Sequence, residues 1–167
     1  ISDADKKGME TFFPRYINKY RRIYNPIDTD AYEEFTYNSV KQNTIVAVNY
    51  AGPHKNCITL VKAFGSIINK TECNLILIGN PDKNIIEYIQ AHGLENRIRV
   101  TGYVDDYTKN NYLANCRLYV NPTLYEGFGM TAVEAIMLGA PCLLSDIPVN
   151  REVTLGYADF YYPPEDT

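Results

Sequence analysis

Thr44-Ile-Val-Ala-Val48, the span from Cys57 to Asn69, and Asn74-Leu-Ile-Leu-Ile78 follow one another with only short loops between them. The first and third are apolar runs of strand length, rich in β-branched residues. The middle span places Leu60, Val61, Phe64, Ile67 and Ile68 on one helical face. The alternation then continues. Lys83 to Ala91 gathers Ile85, Ile86 and Ile89 on one side, and Tyr107 to Asn115, Met130 to Leu138 and a short piece near Arg151 read as further helices. Arg97-Ile-Arg-Val100, Arg117-Leu-Tyr-Val120, Pro141-Cys-Leu-Leu144 and Phe160-Tyr-Tyr162 read as strands. Strand and helix in strict turn require parallel strands joined by right-handed crossovers. The expectation is an α/β fold, a Rossmann-like open parallel sheet of about six strands with helices on both faces. Ligands bind such sheets at the carboxyl ends of the strands. The loops Asn49 to Asn56, Gly79 to Asp82, Gly102 to Asp106 and Asn121 to Gly129 are therefore expected to line one cleft.

The chain has 167 residues, the size of one domain able to bury about 68–70% of the surface its unfolded form exposes. At 46% hydrophobic and 22% charged it is neither a disordered tail nor a coiled coil. Sixteen basic against twenty acidic residues give a net charge of −4, which offers no basic footprint for nucleic acid. Cys57, Cys73, Cys116 and Cys142 stand far apart with no Cys-x-x-Cys pair, so buried reduced thiols are expected rather than a zinc site or a disulfide framework. No apolar run approaches the roughly 20 residues of a membrane span, and no signal-peptide pattern is present. The chain reads as cytoplasmic.

Residues 1–43 differ in character. Asp3 to Thr11 is expected as a short helix capped by Ser2 and ended by Pro14, and Arg22-Ile-Tyr24 as a small strand before the turn at Asn25-Pro26. The stretch reads as a linker, and the chain as a fragment of a longer protein.

The chemistry concentrates in Asn121-Pro-Thr-Leu-Tyr-Glu-Gly-Phe-Gly-Met-Thr-Ala-Val-Glu134. A strand ends at a Pro turn, a Gly-Phe-Gly loop follows, and a helix opens near Met130. Its first N–H groups lack intrahelical partners and attract anions, so Gly127, Phe128, Gly129, Met130 and Thr131 make a phosphate seat. Glu126 and Glu134 bracket it with seven residues between them. Carboxylates beside a phosphate repel it unless they face hydroxyls, and vicinal diols suit them because an ionised carboxylate accepts two hydrogen bonds at once. The pattern suggests a sugar at Glu126, phosphates on the loop backbone and a ribose at Glu134, which describes a nucleotide-sugar.

This pattern resembles the family 4 retaining glycosyltransferases, also called group 1, whose GT-B fold sets two Rossmann-like domains across a cleft. The resemblance rests on Pro122 to Gly129, Val133-Glu134-Ala135, Gly139-Ala140-Pro141 and Ser145-Asp146. It extends upstream to Pro53-His54-Lys55-Asn56, Leu77-Ile78-Gly79, Val100-Thr101-Gly102-Tyr103-Val104, and Ile23-Tyr24-Asn25-Pro26-Ile27-Asp28. It implies that residues 1–43 link to a missing N-terminal domain, and that residues 44–167 are the nucleotide-sugar-binding domain with its C-terminal tail truncated. It implies Glu126 on the donor sugar and Lys55 on the diphosphate as the catalytic pair. Donor contacts would come from Gly127, Phe128, Gly129, Met130, Thr131, Glu134, His54 and Gly79, with Tyr103, Val104 and Asp105 at the base edge. It also implies transfer with retention, no metal and no other cofactor. The partners are a nucleotide-sugar donor and a glycan or lipid-linked acceptor held by the N-terminal domain, with membrane association at the inner face only through absent regions. Many members carry Gly-Arg at the end of the first strand where this chain has Asn49-Tyr50, so half of the phosphate clamp is missing.

Plainer uses account for other residues. Asp28-Thr29-Asp30 mimics an Asp-x-Asp metal motif but precedes Ala31 to Phe35, where it serves as a helix cap. Asp105-Asp106 suits the cap of the helix at Tyr107, and His92 before Gly93 suits a helix end. Of the fifteen tyrosines, Tyr16, Tyr20, Tyr24 and Tyr112 fit semi-buried positions, and only Tyr103 and Tyr125 lie on the expected cleft loops. Two other functions fit less of the pattern: a non-catalytic sugar-nucleotide-binding module, and a GT-B-fold epimerase.

Overall fold

A computed structural model describes residues 2–35, 40–48 and 51–161. Six strands form one sheet: β1 (Gln42–Val48), β2 (Asn74–Ile78), β3 (Ile98–Gly102), β4 (Cys116–Asn121), β5 (Cys142–Ser145) and β6 (Asp159–Tyr161). Their order is β3-β2-β1-β4-β5-β6, and every pairing is parallel. The helices are α1 (Asp3–Phe12), α2 (Cys57–Ile67), α3 (Lys83–Ala91), α4 (Asp106–Asn115), α5 (Met130–Met137) and α6 (Pro148–Thr154).

Side chains alternate across each strand, and both faces are covered, which is why the strands read as unbroken apolar runs. Ala47, Leu75 and Leu77 point to one face, beneath Val61 and Phe64 of α2 and Ile85 and Ile89 of α3. Val46, Ile76, Ile78, Tyr119 and Leu144 point to the other, packed with Leu113 of α4 and Ala132 and Ala135 of α5. All four cysteines are buried and free. Burial pushes the Cys57 and Cys142 thiols up to about 12 and Cys116 to about 11, which keeps them unreactive.

The strands and helices from residue 42 onward stand where the hydrophobic periodicity predicts them, to within a residue or two at the strand ends and a final 3-10 turn at Ile68–Lys70 after α2. The linker differs. Arg22-Ile-Tyr24 joins no ladder among the described residues. Arg22 instead lays its guanidinium 3.9 Å from the centre of the Tyr24 ring and bonds Asp3 at 2.8 Å, so local charge and stacking replace the strand pairing. Tyr16 and Tyr24 are exposed rather than semi-buried. The helix expected over Ala31 to Phe35 is a single 3-10 turn, Asp30–Tyr32, with the Asp28 carboxylate accepting from the Asp30 N–H. The end of the last expected strand at Tyr162 lies outside the described residues. Among the described residues no helix is long and apolar enough to cross a membrane.

Helix α1 is tied to the sheet domain rather than trailing from it. The Ser2 hydroxyl accepts from the Asp5 N–H at 3.0 Å, and Glu152 of α6 accepts from the N–H groups of Asp3 and Ala4 at 2.7 and 3.2 Å. A carboxylate on a helix N-terminus contributes about 0.3–1 kcal/mol, and more where the site is partly buried. Glu152→Ala should therefore raise amide hydrogen exchange across residues 3–12 and leave β1 to β5 protected. Unchanged exchange in α1 would show that this contact does not hold it.

Candidate active site

The strand order reverses at β1, which pairs with β2 on one side and β4 on the other. Chains leaving the carboxyl ends of β1 and β4 therefore diverge and open a crevice between them. After β1, Gly52 at φ +94° allows a turn that an L side chain resists, and Pro53–Lys55 forms a 3-10 turn ended by left-handed Asn56. The His54 carbonyl then accepts from the Leu124 N–H at 2.7 Å and from the Thr123 hydroxyl at 3.1 Å, joining the two loops. This junction brings the Lys55 ammonium to 2.5 Å from Glu126 Oε1, with both side chains mostly buried.

Beyond Glu126 the chain enters α5 through Gly129 at φ +78°, and no side chain caps this helix start. A cavity of about 280 Å3 opens there. Lys55, Glu126, Phe128, Gly129, Met130 and Thr131 line it, joined by Asn25 and by Val48, Tyr119 and Asn121 from the strand ends. Glu126 also lines a larger cavity of about 590 Å3 beneath α1, where the Tyr125 hydroxyl donates to Asp5 at 3.0 Å. A buried polar network supports the loop from behind. The single O–H of Thr123 is shared between the His54 carbonyl and the nearer Tyr125 carbonyl at 2.7 Å, the Ser145 hydroxyl donates to the Thr123 carbonyl, and Asn150 Nδ2 donates to the Ser145 carbonyl at 2.9 Å.

Glu134 lies one helical turn into α5 and is 12% exposed. Lys109 of α4 approaches it, with Nζ 3.0 Å from Glu134 Oε2 and 3.1 Å from the exposed Asp106 carboxylate. Burial works against the Lys109 charge, but the hydrogen bonds and charges of Glu134 and Asp106 outweigh it and the net shift is upward. On the alkaline side the tie is thus intact up to the ordinary lysine value of about 10.4 and fades only as pH rises through the raised one. Tyr119, fully buried under the loop, is pushed well above its usual range first by burial and then by Cys142, Glu126 and Glu134. Tyr32 is raised by burial and then by the Glu134 charge, and its ring packs against the same core cluster as Tyr119.

Of the residues predicted from sequence, Lys55, Glu126, Phe128, Gly129, Met130 and Thr131 share the smaller cavity. Gly127 and Glu134 lie in the same loop and helix without lining it. His54 contributes its carbonyl, while its exposed imidazole folds back over Gly52. Gly79 donates its N–H to the Gly102 carbonyl at 2.9 Å, closing the ends of β2 and β3. Tyr103 is 88% exposed, Val104 packs against the core, and Asp105 caps α4. Hydrogen bonds from Thr108 hold the Asp105 carboxyl below its usual range. Among the described residues this cavity is lined from β1, β4, the loops after them, the start of α5 and Asn25, while the β2 loop meets the β1 loop where the Asp82 carboxylate accepts from the Gly52 N–H at 3.0 Å. Asn49-Tyr50 lies outside the described residues. Asn121 lines the cavity as the start of a loop expected there, whereas sequence reasoning missed Asn25, Lys109 and the Thr123–Asn150 support. For Lys109 the only linear signal is its place three residues after Asp106 on a helix.

The family model for glycosyl transferases group 1 matches residues 28–164. The chain belongs to this family. It is 29% identical over 148 residues to the O-antigen chain mannosyltransferase RfbU of Salmonella typhimurium, covering 86% of this chain and 40% of that protein. It is 31% identical over 119 residues to O-antigen chain mannosyltransferase B of Escherichia coli, covering 68% and 31% respectively. The chain thus spans less than half the length of these relatives. In fold it matches Anabaena HepE, crystallised with UDP and glucose, at a TM-score of 0.82 and 22% identity over 98% of this chain and 48% of that one. The architecture is that of one Rossmann-like half of a GT-B glycosyltransferase.

Thr123→Val keeps the shape but strands the Tyr125 carbonyl and weakens the junction with His54. It should lower stability by about 1–3 kcal/mol, read as a shift in the urea midpoint at unchanged slope. A shift below about 0.5 kcal/mol would show that the network does not hold the loop.

Proposed function

We propose that the chain is the donor-binding half of a retaining glycosyltransferase that moves a hexose from a nucleoside-diphosphate sugar to a glycan or lipid-linked acceptor in cell-surface glycan assembly. The observation that carries this reading is the convergence of Lys55, Glu126 and the uncapped start of α5 on one cavity at the β1–β4 boundary. An ammonium has three N–H donors. Glu126 engages one, leaving the others for a diphosphate oxygen. The first N–H groups of α5 and the helix dipole hold the same diphosphate. Glu126 accepts from hydroxyls of the donor sugar, and Glu134 from the ribose diol.

In the transfer step the bond between the anomeric carbon and the β-phosphate oxygen breaks, and its electron pair passes to that oxygen. The sugar passes through an oxocarbenium-like transition state. The acceptor hydroxyl attacks from the face the phosphate leaves, forms the new glycosidic bond and gives its proton to the leaving diphosphate. Lys55 and the α5 N–H groups offset the charge that grows on the leaving group. A single preorganised donor of this kind contributes about 2.7–4 kcal/mol, so the scheme requires no metal. The names of the relatives and the UDP and glucose in the HepE crystal support a hexosyl donor. The acceptor and the remaining catalytic groups belong to the part of the protein that the longer relatives have in addition. In this reading the protein works in the cytoplasm.

Calorimetric titration with UDP, GDP and ADP tests the reading. One nucleotide should bind selectively, and Glu134→Ala should weaken it tenfold or more, because each charge-assisted hydrogen bond to the ribose contributes about 1.5–3 kcal/mol. The chain by itself should bind nucleotide without transferring sugar. Absence of binding to all three, or unchanged affinity in a folded Glu134→Ala protein, would overturn the donor assignment.

A further inference from the structure

A lysine on a helix surface ordinarily keeps its ammonium in water and its stem on the protein. Lys109 does not. Its side chain is only 16% exposed, and its ammonium crosses from α4 to α5 to meet Glu134 Oε2 at 3.0 Å. Its second partner, Asp106, is 92% exposed and belongs to its own helix, where screening by water makes the pair weak. The contact with Glu134 is therefore the one that offsets the desolvation of Lys109. It also joins two helices that reach the site by separate crossovers.

We propose that Lys109 is a positioning residue that sets the preference of the site for ribonucleotides, an inference that rests on Glu134 being the ribose-binding carboxylate. A glutamate has three rotatable side-chain bonds, and on a helix flank it samples many directions unless something holds it. Lys109 engages Oε2 and so fixes the plane of the carboxylate. A carboxylate has about four lone-pair directions, so Oε1 and the remaining direction on Oε2 stay available to two vicinal hydroxyls. The ammonium also balances the Glu134 charge before a diphosphate arrives, so the negative phosphates meet a neutral pair rather than a bare carboxylate. Lys55 stands in the same relation to Glu126, reaching it from another loop. Each carboxylate of the constellation is therefore set by a lysine from elsewhere in the chain.

Titration with UDP and GDP and with their 2′-deoxy and 3′-deoxy counterparts tests this on the wild type, Lys109→Met, Lys109→Arg and Glu134→Gln. The wild type should favour the ribonucleotide. Lys109→Met should lose about tenfold in ribonucleotide affinity, or about 1.4 kcal/mol, and little in deoxynucleotide affinity, so that the ratio collapses. Lys109→Arg, which keeps charge and reach, should restore much of the ratio; a purely structural lysine would affect ribo and deoxy ligands alike. If Lys109→Met does not fold, Lys109→Gln is read the same way. A ratio unchanged in Lys109→Met or Lys109→Gln, while Glu134→Gln abolishes it, overturns the role of Lys109 alone. A ratio unchanged in Glu134→Gln overturns the ribose assignment beneath it.

Discussion

The pairing of β1 with β4 is the constraint on which the rest depends. Val46 stands opposite Tyr119 across that ladder, although more than seventy residues separate them in sequence. Because β2 occupies the other edge of β1, the chain must leave β1 toward one face and β4 toward the other. The crevice between those departures is a consequence of strand order alone. Everything at the site is fastened to its rims: the Lys55 turn on one side, the loop from Thr123 to Gly129 on the other, and the His54 carbonyl as the clasp between them. A slip of one residue in the register would turn Tyr119 and its neighbours to the opposite face and separate Lys55 from Glu126.

Two carboxylates held beside a phosphate seat present an electrostatic difficulty, which the fold resolves by pairing each with a lysine. Neither pair is sealed from solvent, so neither carries the full penalty of a buried ion pair, and neither is screened like one on the surface. The result is a site with its acidic groups oriented and their charge balanced in advance. Such preorganisation limits the reorganisation needed when a charged ligand enters.

The polar layer beneath the loop performs a related task. Thr123, Ser145 and Asn150 are fully buried and lie in a loop, a strand end and a helix. Their hydrogen bonds lock the turn after β4 to the end of β5 and to α6. Preorganisation at Glu126 therefore relies on residues that face away from the cavity.

The sheet, its parallel sense and the loops that bear glycine and glutamate were legible in the linear sequence, because buried strands and amphipathic helices write their periods into neighbouring residues. The Glu126 to Glu134 spacing and the glycine-led helix start were legible for the same reason: they are local. The strand expected at Arg22-Ile-Tyr24 was misread because an apolar residue between two others that favour extension says nothing about whether a partner strand lies beside it. The clustering of Lys55 with Glu126, the entry of Asn25 into the cavity, the support from Asn150 and the approach of Lys109 to Glu134 were decided only by the tertiary structure. Each joins residues far apart along the chain, and a lysine that faces water has the same sequence signature as one that faces a carboxylate on the next helix.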